Sequence, residues 1–198
     1  RSSLEKVALS TEQLVKLIST MLDLSRIESG RITYAMNQND LGKIVEELIG
    51  QFRQQAEAKG LTLTFVKEDD VPSFSFDRDK IREVILNLIH NAVKYTQKGK
   101  VTIQQEIVRK KGRGFARISV ADSGMGIKKE DLPKLFGKFN RSEEARHVDP
   151  SGMGIGLYFV KRVVEDHSGT VWAESNGLGK GSTFVIELPV KSSVAADG

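Results

Sequence analysis

A chain of 198 residues can bury a real core and is expected to form one domain, or one domain with an appendage. It contains no cysteine, which excludes disulfides and thiolate metal sites and fits a reducing compartment. The net charge of +4 is small and its Lys and Arg are scattered, so nucleic-acid binding is not suggested, and no apolar run is long enough to span a bilayer.

From Ser2 to about Ser29, Val7, Leu14, Leu17, Met21 and Leu24 fall near heptad a and d positions, and Leu4, Ile18, Leu22 and Ile27 widen the stripe. The pattern predicts one long helix, closed by Gly30. A single helix cannot bury its own stripe, so an intermolecular bundle is expected in preference to packing on the following domain. Arg31 to Met36 alternates enough for a short strand. Asp40 caps a predicted helix from Leu41 to about Lys59, ended by Gly60. Leu61–Val66 and Ser73–Phe76 read as strands around an acidic turn bearing Pro72.

Ile81 to Thr96 is the most informative stretch, an amphipathic helix started by Asp77 or Asp79. Its apolar stripe of Ile81, Val84, Ile85, Leu88, Ala92 and Tyr95 predicts packing against a sheet. Asn87 and Asn91, four apart, stack on one side, with Lys94 and Tyr95 a turn further on. An amide oxygen suits a Mg²⁺ that keeps most of its waters, and a lysine suits phosphates sharing that metal. Taken alone, two loop-capping asparagines explain the pattern as well.

Lys100–Val108 and Gly114–Ala121 then read as a hairpin, with Arg109–Arg113 as its solvated tip. Ile155–His167 is a predicted helix, Thr170–Glu174 a strand in which Trp172 is expected to pack, and Thr183–Leu188 the last strand. The fold class expected is α+β: a two-layer sandwich, a mixed sheet with helices on one face, preceded by one long bundle-forming helix. The expected domains are 1–30 for that helix and 31–198 for the sandwich.

Three glycine clusters follow the asparagine helix. Asp122-Ser123-Gly124-Met125-Gly126 leaves a strand, so a carboxylate at the strand end could accept a hydrogen bond from an exocyclic amine such as adenine's. Gly152-Met153-Gly154-Ile155-Gly156-Leu157 opens a helix and is a candidate phosphate cradle. Gly179-Lys180-Gly181-Ser182-Thr183-Phe184 enters the last strand. Between the first two, 127–151 has little periodicity and is expected to be a lid, anchored by Phe136 and Phe139. Lys134, Lys138, Arg141 and Arg146 could reach phosphates if they fold inward.

The ordered set N-L-I-H-N-A-V-K-Y-T, D-S-G-M-G-I, L-F-G-K-F-N-R, G-M-G-I-G-L and G-S-T-F resembles the asparagine, glycine and phenylalanine boxes of bacterial sensor histidine kinases, over Arg31 to about Val190. L-D-L-S-R-I-E-S-G resembles the end of that family's dimerisation hairpin. The resemblance implies ATP and Mg²⁺ as ligands, with Asn91 on the metal and Asn87 lining the phosphate and metal region. Lys94 would contact phosphate, and Tyr95 would stack on or flank the adenine. Asp122 would read the adenine amine, with Thr183 helping through water. Gly124, Gly126 and Ile127 would shape the base pocket. Gly152, Gly154, Gly156 and Leu157 would let the lid close, and Arg141 would approach the γ-phosphate. The chemistry implied is phosphoryl transfer to a histidine nitrogen for relay to a response-regulator receiver domain, in a homodimer built on the N-terminal helix.

Two departures stand out. Asn140 replaces a common aromatic residue in the lid, and no acceptor histidine is found. His90 is expected beside the core, and His147 and His167 as exposed bystanders. The chain is therefore expected to begin after the acceptor helix, to bind ATP, and to be unable to phosphorylate itself. It is expected to be cytoplasmic, with membrane attachment only through N-terminal parts beyond this sequence. Two other classes remain open. Gyrase, MutL and chaperone ATPases place a glutamate at the position of Asn87, and asparagine is a poor base; serine kinases of the same superfamily lack the long helix. A dimerising scaffold that binds nucleotide without transferring phosphate is the non-enzyme alternative.

Overall fold

The computed structural model describes Thr11, Ile18 and residues 33–68, 71–150 and 152–190. The chain divides into two compact units, Arg1–Tyr34 and Ala35–Gly198. In the first, Thr11 and Ile18 are helical and exposed; the remaining heptad positions and Gly30 lie outside the described residues.

The second unit runs β1 (Met36–Asn39), α1 (Leu41–Ala58), β2 (Leu61–Lys67), β3 (Phe74–Asp77), α2 (Arg78–Tyr95), β4 (Gly99–Lys110) and β5 (Arg113–Asp122). A 3-10 turn (Leu132–Lys134), α3 (Glu143–Val148), α4 (Gly156–Asp166), β6 (Thr170–Glu174) and β7 (Ser182–Val190) follow. Five strands form a mixed sheet in the order β2-β4-β5-β7-β6. β2 and β4 pair in parallel because α2 carries the chain across between them, whereas β4 and β5 form an antiparallel hairpin. The hairpin turns on Lys111 and Gly112, both at positive φ (49° and 77°), which matches the twist of the flanking strands.

Strand β1 begins where the predicted strand at Arg31–Met36 ends. Its sequence, Met-Asn-Gln-Asn, has no apolar alternation and is largely exposed, so its position follows from pairing with β3 rather than from any pattern of its own. The helix starts are set by carboxylates. Asp40 accepts from the Gly42 N–H at 2.8 Å, and Asp77, not Asp79, caps α2 by accepting from the Lys80 N–H at 3.0 Å.

Three helices lay apolar stripes on one face of the sheet. Ile44, Leu48, Ile81, Ile85, Leu88, Phe159 and Val163 meet Val101, Ile103, Ile118, Val120 and Ile186, all fully or almost fully buried. This is the two-layer α+β sandwich expected from the pattern. His167 differs from its expected exposure. It is buried, its Nε2 accepts from the Asp77 N–H at 3.1 Å, and Nδ1 lies 2.8 Å from the Val163 carbonyl. The imidazole thereby joins the end of α4 to the start of α2, a long-range contact that local polarity at a helix end cannot reveal.

The other sheet face carries a buried charge. Glu187, 2% exposed, accepts from Lys110 Nζ and Arg117 Nη2, each at 2.7 Å, and Trp172 lies beneath both cations. Burial pushes the Glu187 carboxyl up, but the hydrogen bonds and charges of Lys110 and Arg117 outweigh it and hold the group below its usual range. A depressed carboxylate contributes stability that is present above its unfolded pKa and lost as pH falls through the folded value. Glu187→Gln is expected to lose about 1–3 kcal/mol at neutral pH. Urea unfolding at stepped pH should show the gap between variant and wild type closing on acidification below the ordinary glutamate range.

Candidate functional site

The candidate site lies where α2 ends and β5 and β7 begin their glycine loops. α2 stops at Tyr95, its last carbonyls held by Lys59 Nζ, which donates to Val93 O at 2.9 Å and Lys94 O at 3.3 Å. The Tyr95 carbonyl accepts from the Met125 N–H at 3.2 Å, so the helix end docks directly on the first glycine loop.

That loop is zipped to the third one. Gly179 N donates to Met125 O at 2.7 Å and Gly181 N to Gly124 O at 3.2 Å. Ser175 bridges both: its Oγ accepts from the Ile127 N–H at 3.0 Å and donates to Gly181 O at 2.7 Å. The approach leaves no room for side chains. A Cβ on Gly126 (φ 70°) would stand 2.1 Å from the Gly177 carbonyl, and one on Gly181 (φ 69°) 2.0 Å from the Asp122 carbonyl.

Asp122 ends β5 between these loops. One carboxylate oxygen accepts from Ser182 Oγ at 2.5 Å and the other from the Gly124 N–H at 2.8 Å. Burial raises its pKa, and the Ser182 hydroxyl and the Gly124 and Ser182 N–H groups partly offset the rise. Asp122 and Ser182 stand opposite each other in the β5–β7 register. Thr183, which the family resemblance implied would help read the adenine amine through water, comes next on the strand, opposite Ala121 and on the other face. Serine 182 was legible only through strand parity, because both hydroxyl residues sit in the same motif. Thr96, just past α2, is fully buried beside the same carboxylate, and its Oγ1 makes no well-formed hydrogen bond. The sequence motif N-L-I-H-N-A-V-K-Y-T ends on this residue but assigned it no role.

The other half of the site faces 127–151 and α4. Asn87 donates from Nδ2 to Glu83 O at 2.9 Å, and its Oδ1 would lie 2.8 Å from a Cβ on Gly156, so the first residue of α4 must be small to pass it. Asn91 is half-buried, and its amide makes no hydrogen bond among the described residues. Lys94 pairs with Asp149, and Arg141 donates to the carbonyls of Ala145, Asp149 and Gly152. Both cations are therefore held by oxygens of 141–152. Lys134, Lys138 and Arg146 are exposed.

The segment between the first two glycine loops is more ordered than its sequence suggested, with a 3-10 turn and the helix α3. Phe136 anchors it by an edge contact with Phe184, ring centres 6.4 Å apart. Phe139 does not: it is 53% exposed, with φ at 60°. Asn140 closes the turn before Arg141, donating to Lys134 O at 2.9 Å. Gly152 and Gly154 let Arg141 pass, since a Cβ on either would come within 3.1 Å of its side chain. Tyr95 and Gly124 lie where the α2 end meets the first glycine loop, Ile127 is buried just after that loop, and Leu157 is half-buried in the first turn of α4.

These residues fit a nucleotide with Mg²⁺. One unbonded amide oxygen suits a metal that takes its remaining ligands from water and phosphate. Among the described residues no cluster of three or more His, Cys, Asp or Glu could hold a metal without such help. Lys94 and Arg141, held by a carboxylate and carbonyls of 145–152, are cations that can exchange those oxygens for phosphate.

Comparison with known proteins agrees with this geometry. Residues 76–192 match the family described as histidine kinase-, DNA gyrase B-, and HSP90-like ATPase. The non-motile and phage-resistance protein of Caulobacter vibrioides is 34% identical over 93% of this chain, which spans 22% of that protein. Full-length ShkA in complex with AMPPNP superposes with a TM-score of 0.78 at 26% identity, over 91% of this chain and 36% of ShkA. The catalytic domain of histidine kinase ThkA gives 0.67 at 26% identity, over 78% of this chain and 97% of that domain; ThkA has also been solved in complex with the response regulator protein TrrA.

The contact between the glycine loops sets a stability test. Gly181→Ala should cost well over the about 1–2 kcal/mol of a left-handed alanine, because it also meets a backbone carbonyl. Gly112→Ala, at similar φ but with open space around it, should cost no more than about that amount. Paired urea denaturation of the two variants measures the difference.

Proposed function

Since the chain belongs to the histidine kinase-, DNA gyrase B-, and HSP90-like ATPase family, with the fold of histidine kinase catalytic domains, we propose that it is the ATP-binding catalytic portion of a sensor histidine kinase. It transfers the γ-phosphoryl group of ATP to a histidine outside this sequence. The observation that carries this reading is the layout of α2. Asn91 and Lys94 lie on its last turns, and its end docks on the loop that holds Asp122, so one helix spaces a phosphate end from a base end.

Ionised Asp122 accepts a hydrogen bond from the adenine amine, and its half-buried setting makes that bond stronger than in water. Asn91 would hold Mg²⁺, which when bound would supply charge neutralisation on the phosphates. Lys94 and Arg141 exchange Asp149 and the lid carbonyls for phosphate oxygens, and this exchange couples nucleotide binding to lid position. Asn87 is no base, so water is activated poorly and transfer to a placed histidine is favoured over hydrolysis.

His90, His147 and His167 are poor acceptors. His90 lies against Phe52, His167 is consumed in the core, and His147 sits on α3 with Nδ1 2.8 Å from Glu143 O. We assign 1–30 to a dimerising helix, 31–198 to the catalytic domain and 127–151 to its lid. A response-regulator receiver domain is the expected partner, as TrrA is for ThkA. No helix among the described residues is long and apolar enough to cross a membrane, and a cytoplasmic location is part of the proposal.

Calorimetry tests the reading. ATP with Mg²⁺ should bind in clear preference to GTP. Asp122→Asn should weaken ATP about 10- to 100-fold, and Asn91→Ala should abolish the gain from Mg²⁺ while leaving metal-free binding in place. Since the acceptor must be a carboxylate, wild-type affinity should fall as pH drops through the raised Asp122 pKa more steeply than that of Asp122→Asn, which keeps only the pH dependence of ATP itself. Equal affinity for ATP and GTP would contradict the assignment.

A further inference from the structure

Thr96 is the unexplained group at the base end. Its side chain is fully buried, yet Oγ1 is one of the few buried side-chain atoms among the described residues with no well-formed hydrogen bond. A buried hydroxyl left in that state costs about 1–3 kcal/mol. The backbone does not require it: Thr96 leaves α2 in an extended conformation (φ −105°, ψ 117°), which valine adopts equally well. The hydroxyl borders the same space as Asp122. A Cβ built on Gly124 would lie 2.4 Å from the Tyr95 carbonyl and 2.8 Å from both Thr96 Oγ1 and Asp122 Oδ1, so the missing side chain at 124 keeps open a space shared by all three oxygens.

We propose that Thr96 is a positioning residue for adenine recognition, its hydroxyl completing with the Gly124 N–H and the Ser182 hydroxyl a cage of donors that orients the Asp122 carboxylate as an acceptor. The inference rests on the nucleotide reading given above and adds to it. Burial disfavours the charged form of Asp122, and a carboxyl that took up a proton would present a donor to the adenine amine where an acceptor is needed. The main influences opposing protonation are hydrogen bonds from Ser182, Gly124 and Thr96, with no charged side chain among them. The titratable residues nearest along the surrounding elements are Tyr95 at the end of α2, Lys98 and Lys100 leading into β4, Glu174 at the end of β6 and Lys180 before β7, and Lys94 is engaged by Asp149; none of them is among the main influences on Asp122. A hydroxyl therefore does here what a neighbouring cation does elsewhere, without adding charge next to a base.

The test compares Thr96→Val with Thr96→Ser in two measurements. The first is a carbon-detected NMR titration of the Asp122 carboxyl in the ligand-free protein; the second is ATP affinity as a function of pH. Thr96→Val should raise the Asp122 midpoint by about half a unit or more. Its ATP deficit should widen as pH falls, and Thr96→Ser should restore both. An unshifted midpoint in Thr96→Val, or an ATP loss independent of pH, overturns the inference, since a purely structural residue would act that way. If the valine variant does not fold, Thr96→Ala against Thr96→Ser gives the same comparison. The carboxyl titration needs no nucleotide, so a chain that binds no ATP yet shows the shifted midpoint refutes the kinase reading while Thr96's hold on Asp122 stands.

Discussion

The structure depends on a half-buried carboxylate fixed between two glycine loops. Asp122 can stand there only because Gly126 and Gly181 let two backbones meet at distances no side chain would permit. Those contacts in turn fix the β5–β7 register that sets Ser182 opposite Asp122. The carboxylate gives up solvation and receives donors that compensate it in part, which leaves it above its ordinary pKa. In the proposed reading an adenine amine adds a further donor. Specificity would follow, because a group presenting an acceptor at the same point would meet the carboxylate unfavourably.

At the other end the same logic runs with the sign reversed. Lys94 and Arg141 are held by oxygens of 145–152: a carboxylate for the first, three carbonyls for the second. A triphosphate offers Arg141 charged oxygens in place of carbonyls, and offers Lys94 a more highly charged partner than one carboxylate. In the proposed reading, lid position and nucleotide occupancy compete for the same two side chains, which is the differential interaction a ligand needs in order to shift a conformational equilibrium. Asn87 and Gly156, in close approach, tie the start of α4 to the same helix that carries Asn91.

Much of this was readable from the sequence where a local rule acts alone. Asp40 and Gly60 bound α1, the apolar stripe on α2 predicts its packing, and the strand at Thr170–Glu174 has the bounds its pattern gives. The readings that changed are those decided by distant partners. β1 lacks any alternation because β3 alone positions it. His167 looked like a polar residue at a helix end, and only the docking of α4 against Asp77 buries it. Thr183 and Ser182 are interchangeable in composition, and the register of β7 against β5 decides between them. Phe139 follows the same motif logic as Phe136 yet points outward, because a turn at positive φ intervenes. Thr96 closes the asparagine motif without a role of its own there, since an orphaned hydroxyl becomes visible only when its surroundings are known.

A crystal structure of this chain with Mg²⁺ and a non-hydrolysable ATP analogue examines the central claim most directly. The account predicts the adenine amine within hydrogen-bond distance of Asp122, the metal on Asn91, and Lys94 released from Asp149 onto phosphate. An analogue bound elsewhere, or one bound here with Asp122 turned away from the base and Lys94 still on Asp149, would contradict it.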